Sequence, residues 1–321
     1  METSQRKLAP VAIFVYNRPD NTQEVVAALQ KNYLASKTDV FFFSDGPKTE
    51  RSKKDVEEVR KYLKTVTGFK SVTITERREN IYLERNIIEG VTEIVNKYGK
   101  IIVLEDDGVS AKNFLTFMND ALDFYEHTEK IMHIASFTFI RMPHDYRKTI
   151  LWRYSENTGG GWGTWKNRWD KFHWFQNEHE ALSLLSEEQK NKIELDGAFR
   201  CLGSLKAHPI PWDICWYIAI TLNNGLAVNS PRSLIKNNGL FNGTHFTALN
   251  RLLGKSPFEV DLDKNELIIM GDKITENVGA IELLKEFYGK MGGRKRDKIL
   301  HFFVQILVFL KITKLLKKLL Q

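Results

Sequence analysis

Residues 100–107 read KIIVLEDD: a lysine, four consecutive aliphatic side chains and three carboxylates in a row. An unbroken aliphatic run, without polar alternation, marks a strand covered on both faces. Three adjacent carboxylates at its end repel one another. A divalent cation shared with phosphate oxygens is the natural counter-charge, and Mg²⁺ or Mn²⁺ suits hard oxygen ligands. An acidic turn capping a helix over residues 113–127 accounts for the same residues without a ligand.

Towards the N-terminus the pattern repeats. Residues 11–16 (VAIFVY) form an apolar run that ends in Asn17, Arg18 and Pro19, and residues 20–31 follow with helical periodicity. Residues 40–43 (VFFF) close in the turn Ser44-Asp45-Gly46-Pro47, before a charged amphipathic helix over 53–65. A short strand over 72–75 and a helix over 83–98 lead into KIIVL. Strands alternating with helices imply an α/β fold whose mainly parallel sheet is flanked by helices, with ligands bound beyond the strands' C-terminal ends. Asn17, Arg18, Asp45 and Glu105 to Asp107 all fall at such ends.

With 321 residues and 42% hydrophobic composition, the chain can bury a real core, which excludes disorder and simple fibres. Cys201 and Cys215 have no metal-ligand spacing and are too few to staple the fold, so free buried thiols are expected. The polar start and the absence of a long apolar run predict a cytoplasmic protein without a membrane span. Residues 131–293 are less periodic and rich in Trp, Gly, Pro and Asn, and read as long loops around the sheet edge. With no repeat or low-complexity linker, the halves 1–130 and 131–293 are expected to share one body.

The last segment, residues 294–321, carries eight basic residues and one acidic residue, which is the whole net charge of +7; the rest of the chain is balanced. Its apolar stretch, residues 299–310, is too short to cross a bilayer and is suited to lying in the interface. A C-terminal amphipathic helix on an anionic membrane surface is therefore expected, with docking on the core as the alternative. Without a nucleic-acid-binding motif, the charge points to lipid rather than to nucleic acid.

The triplet in its setting, residues 97–126 (KYGKIIVLEDDGVSAKNFLTFMNDALDFYE), is accompanied in order by VAIFVYNRPDNTQEVVAAL (11–29), FFFSDGPK (41–48), GGGWGTWKNRW (159–169), PWDICW (211–216) and LIKNNGLFNGTHF (234–246). Together these segments resemble GT-A fold glycosyltransferases with the EDD form of the metal motif. More narrowly, they resemble the N-acetylglucosaminyltransferase I-like group and its bacterial capsule and lipopolysaccharide relatives. The resemblance covers roughly residues 10–247. It implies a Rossmann-like GT-A fold in which residues 1–130 bind the nucleotide sugar and residues 131–293 bind the acceptor and carry out catalysis.

Residue by residue, the resemblance places the metal on Asp107, with Asp106 and Glu105 on the ribose or donor sugar. Asn17, Arg18 and Asp45 match the positions that hold the nucleotide; a surface arginine before a proline-opened helix and an ordinary Ser-Asp-Gly-Pro turn are the alternatives for the latter two. Arg85 falls in a phosphate-binding segment, NIYLERN (80–86), where Tyr82 and Glu84 replace the family's glycine and small-residue pattern. In the glycine and tryptophan cluster, Gly161 and Trp162 are the candidates for sugar contact, as is Trp212 further on, while Trp165 and Trp169 read as core.

Asp213, between Trp212 and Trp216, matches the catalytic base. A carboxylate boxed by tryptophans would be partly desolvated and strengthened as a base. An N-cap for a helix over 214–223 is the alternative. His245 is the late histidine that many such enzymes bring to the metal.

The implied reaction is metal-dependent, inverting transfer from a nucleotide-sugar donor, a UDP-sugar first among them, to a glycan or lipid-linked acceptor in surface polysaccharide synthesis. Two other classes use similar parts: a sugar nucleotidyltransferase, which would carry a glycine-rich basic loop where NRPDN stands, and an inactive sugar-nucleotide-binding protein at the membrane.

Overall fold

The computed structural model describes residues 6–157, 160–241, 256, 258–264 and 267–292. The first half is built as its apolar runs dictate. Strand β1 (Val11–Val15) is buried at every position and passes through Asn17 and Arg18 into α1 (Pro19–Gln30), where proline's fixed φ suits the first helical turn. Strand β2 (Asp39–Ser44) precedes α2 (Glu50–Leu63), which starts in a reciprocal capping box between Thr49 and Ser52. Strand β3 (Ser71–Glu76) precedes α3 (Tyr82–Tyr98), ended by Gly99 in the left-handed conformation, and the chain turns there into β4 (Lys100–Glu105).

After the carboxylates come the short strand β5 (Gly108–Ser110), α4 (Phe114–Phe124), β6 (Ile131–Ala135), β7 (Ile150–Trp152) and β8 (Gly160–Trp165). Three short helices follow, α5 (Lys166–Trp169), α6 (Glu178–Ser183) and α7 (Glu187–Ile193). Then come α8 (Trp212–Leu222), β9 (Leu226–Asn229), β10 (Ile235–Asn237) and α9 (Val278–Gly292). Among the described residues no helix is long and apolar enough to cross a membrane.

Eight strands form one sheet in the order β3-β2-β1-β4-β8-β6-β9-β7, while β5 and β10 pair separately as an antiparallel ribbon. The sheet is mainly parallel; β8 and β7 run against their neighbours. Alternate residues of β1 divide its two faces: Val11, Ile13 and Val15 pack with α1, α2 and α4, whereas Ala12 and Phe14 pack with α3 and the tryptophan side of α8.

The second half departs from the loops expected of it, because it supplies β6 to β9 of the main sheet. Strand β8, Gly-Gly-Trp-Gly-Thr-Trp, is buried throughout and lies directly beside β4. Glycine is required here for closeness: a Cβ on Gly160 would lie 2.5 Å from the Leu104 Cα, and both Gly160 (φ +77) and Gly161 (φ +66) are left-handed. The register shifts between Val103 and Leu104, so β8 bulges where β4 delivers its carboxylates.

Candidate functional site

The carboxylates emerge at the C-terminal end of β4, beside the end of β1. Arg18, just before α1, turns its guanidinium onto them: Nη1 lies 3.1 Å from Asp106 Oδ1 and 3.2 Å from Asp107 Oδ2. The Tyr16 backbone N–H donates to Asp106 Oδ2 at 3.4 Å. Among the described residues one cation therefore pairs with this cluster, in which Asp106 is buried and Glu105 and Asp107 are partly buried. Burial pushes the Asp106 carboxyl up to about 6, against the pull of Arg18. Glu105 is pushed well above the carboxylate range by burial, then by Asp107, Asp106 and Asp213, and burial raises Asp107 as well.

The β5–β10 ribbon supports Asp107 from the other side. Its carbonyl accepts the Asn238 N–H at 2.8 Å, and the Asn237 side chain reaches its carboxylate. Gly239 passes so close that a Cβ there would sit 2.3 Å from Asp107 Oδ2. Despite these contacts Asp107 Oδ1 is buried without a hydrogen-bond partner among the described residues. A buried, unpartnered carboxylate oxygen in an excess of negative charge suits a hard cation. Among the described residues no three Asp, Glu, His or Cys side chains form a metal cage. Mg²⁺ and Mn²⁺ bound with phosphates need only one or two protein carboxylates, so Asp107, with Asp106 beside it, fits such an ion.

Asp213 lies on the first turn of α8, close enough for its charge to act on Glu105, so the candidate base and the triplet do come together. Its setting differs from the expected tryptophan box. Asp213 is exposed, with Oδ1 accepting the Ile214 N–H at 2.8 Å, and the helix is capped at Pro211 rather than at Asp213. The tryptophans turn inward instead: Trp212 stacks on Trp162 with centroids 5.0 Å apart, and Trp216 donates its indole N–H to His133 Nδ1.

Trp162 is corrected in the same way. Its ring is fully buried between His133 and Trp212, so it packs the core and offers no face to a sugar. Trp212 is likewise buried. Gly161 serves close packing, since a Cβ would meet Ile235 at 2.5 Å and Ser136 Oγ at 2.7 Å.

At the end of β2, Asp45 is buried and accepts from the N–H groups of Gly46 (2.8 Å) and Ile81 (2.9 Å) and from Asn80 Nδ2 (2.8 Å), which pins the loop after β3. Burial raises its carboxyl. Arg85 does not join this group: it is exposed on α3 and paired with Glu89 at 2.7 Å. Two guanidinium groups stand near Asp45 instead: Arg60, whose Nη2 donates to the Asp45 carbonyl at 3.2 Å, and Arg77, whose charge acts on its carboxylate; sequence reasoning missed both because only the fold brings them there. Arg77 bonds Asn86 Oδ1 at 3.2 Å and Glu89 at 3.2 Å, and its Nη2 is buried without a partner among the described residues. Asn17 is half-buried between β1 and Pro19. His245 and residues 294–321 lie outside the described residues.

No family model and no curated protein matches the chain. Among solved structures it is similar to the mannosyltransferase PcManGT from Pyrobaculum calidifontis in complex with GDP-Man and Mn²⁺, at 12% identity over 51% of this chain and 48% of that one, with a TM-score of 0.34. The match thus spans about half the length of that mannosyltransferase. It is also similar to S. aureus TarS, at 11% identity over 70% of this chain and 36% of that one (TM-score 0.38), and to TarS 1-349, at 9% identity over 79% and 67% (TM-score 0.41).

Proposed function

We propose that the chain is a metal-dependent, inverting glycosyltransferase that moves a sugar from a nucleotide-sugar donor, a UDP-sugar first among them, to a glycan or lipid-linked acceptor in bacterial surface polysaccharide synthesis. The observation that carries this reading is the buried, unpartnered Oδ1 of Asp107 in a cluster of three carboxylates balanced by one arginine, with the exposed Asp213 acting on the same cluster. The resemblance of the five ordered segments and the triplet supports it independently.

In this reading Asp107 and Asp106 would hold Mn²⁺ or Mg²⁺, which would supply positive charge for the leaving nucleoside diphosphate. Arg18 adds a second positive charge on the same side once phosphate oxygens compete for it. Asp213, open to solvent on a rigid helix, accepts the acceptor hydroxyl's proton. The oxygen freed in this way bonds to the anomeric carbon from the face opposite the departing diphosphate, which keeps the bonding pair of the broken glycosidic bond. Asn17 and Asp45 line the nucleotide end, and His245 would be a further metal ligand. Residues 294–321 bring the body to the cytoplasmic face of an anionic membrane.

The test is direct. The full chain, incubated with a panel of nucleotide sugars and Mn²⁺, should release nucleoside diphosphate with one donor, lose that activity in excess EDTA and regain it on metal return. Full activity in EDTA removes the metal from the reading; no release from any donor, with or without a glycan acceptor, removes the transferase.

A further inference from the structure

Tyr82 has a positive φ of 66°, a conformation that an aromatic L-residue rarely adopts and glycine adopts freely. The surroundings hold it there. Asp45 accepts from Ile81 and Asn80, Asn80 also donates to the Gly46 carbonyl at 2.9 Å, and Gly46 packs so tightly on Glu79 that a Cβ would lie 2.3 Å from its carbonyl carbon. The strain places an aromatic ring, 48% exposed, at the C-terminal edge of β2 and β3. Strain kept by an over-determined loop is most simply explained by what the side chain touches in use.

Lys48 faces that ring, with Nζ 4.7 Å from its centroid, and forms no ion pair with a carboxylate among the described residues. Its backbone N–H donates to the Tyr16 hydroxyl at 3.0 Å, and the Tyr16 N–H donates in turn to Asp106. Lys48 is thus tied through its backbone and Tyr16 to Asp106, while the loop that carries Tyr82 is tied to Asp45, so the ring and the ammonium sit beside both. A flat aromatic surface beside an unpaired cation complements a planar heterocycle joined to phosphates.

We propose that Tyr82 and Lys48 form a nucleoside-diphosphate clamp, in which the Tyr82 ring stacks on the nucleobase and the Lys48 ammonium moves from the ring to the phosphates. This deepens the nucleotide-sugar reading and rests on it. A purely structural Tyr82 would only close the loop.

Titrations of the full chain in Mn²⁺ with UDP, GDP and inorganic pyrophosphate separate these roles, because pyrophosphate has the charge but no base. Tyr82→Gly should weaken UDP and GDP roughly tenfold, as loss of one aromatic–base stack does, and leave pyrophosphate unchanged. Its thermal midpoint should rise, since glycine relieves the left-handed strain. Tyr82→Phe should bind UDP within about twofold of wild type, because the ring face is kept. Lys48→Met should weaken UDP and pyrophosphate alike by up to roughly fivefold.

Undiminished UDP and GDP binding by Tyr82→Gly overturns the clamp, and so does a loss in Tyr82→Phe equal to that in Tyr82→Gly. Unchanged pyrophosphate binding by Lys48→Met overturns the phosphate half. A wild type that takes pyrophosphate but neither nucleotide overturns the clamp while leaving the metal–diphosphate site intact. A wild type that takes none of the three removes the nucleotide-sugar reading, and the clamp with it.

Discussion

Arg18 Nη1 lies 3.2 Å from Asp107 Oδ2, and the same nitrogen reaches Asp106, so a single guanidinium offsets two of three adjacent carboxylates. Arg18→Met should leave that charge uncompensated. Its side chain is 33% exposed, so solvent screens part of the loss, and the metal-free protein should be destabilised by about 1–2 kcal/mol. Saturating Mn²⁺ should remove most of the difference, because the ion supplies the missing charge. Thermal unfolding of wild type and variant, each with EDTA and with Mn²⁺, checks this; equal stability in EDTA would show that Arg18 does not offset the cluster.

Asp107→Asn tests the metal directly. The substitution keeps the shape beside Gly239 and the Asn238 contact to the Asp107 backbone, but removes the anionic ligand. Transfer should fall by roughly a hundredfold or more, since a Lewis acid is worth several kcal/mol of transition-state stabilisation. Apo stability should rise slightly, because one of the mutually repelling buried charges is gone. Steady-state release of nucleoside diphosphate over a Mn²⁺ series, paired with urea unfolding in EDTA, reads both effects.

Asp213→Asn is expected to act on catalysis alone. The side chain is exposed and the tryptophans beside it pack without it, so stability should change by no more than about 0.5 kcal/mol. Loss of a general base should lower turnover by roughly a hundredfold to ten-thousandfold while the donor's Kd stays put. Wild-type turnover with unaltered donor binding would remove Asp213 from the mechanism.

These sites were legible in the sequence to different degrees. β1, β2 and β4 announce themselves because the middle of a strand covered on both faces must be apolar without alternation, and the triplet stands out because nothing apolar explains it. β8 was hidden because its place is filled by closeness rather than by aliphatic bulk: Gly160 and Gly163 let it lie against β4, and their neighbours read as a loop. The tryptophan box expected around Asp213 is where the sequence misled. Neighbouring side chains on a helix diverge by about 100°, so Trp212 can be buried while Asp213 faces water. Arg77 has no sequence pattern of its own; only the fold brings it to Asp45.

His133 yields a last prediction, on stability and pH. Trp216 can only donate, so its indole N–H, 3.1 Å from His133 Nδ1, makes Nδ1 the acceptor and leaves the ring proton on Nε2, which donates to the Glu156 carbonyl at 3.0 Å. Protonation would set one N–H against another inside a fully buried core, and burial lowers the ring from 6.5 to about 4. Above the unfolded value neither state binds the proton and the neutral ring's contribution is complete. As pH falls below 6.5 the unfolded chain takes up a proton that the folded chain refuses until about 4, so stability declines across that window by up to about 3 kcal/mol. Asp106 works the other way: its carboxyl, raised from 3.8 to about 6, is protonated first in the folded state and adds stability as pH falls through that interval. The two must therefore be separated by a variant. His133→Gln can still accept from Trp216 and donate to Glu156, and it should cost about 1–2 kcal/mol at pH 7.5 for the lost stack on Trp162. Across urea unfolding curves from pH 7.5 to 4.5, the Asp106 contribution is common to both proteins and cancels. The difference between them should shrink below pH 6.5 and reverse in sign by pH 4.5, because the loss expected of wild type exceeds the initial gap, and a constant difference would mean that His133 does not control the acid limb.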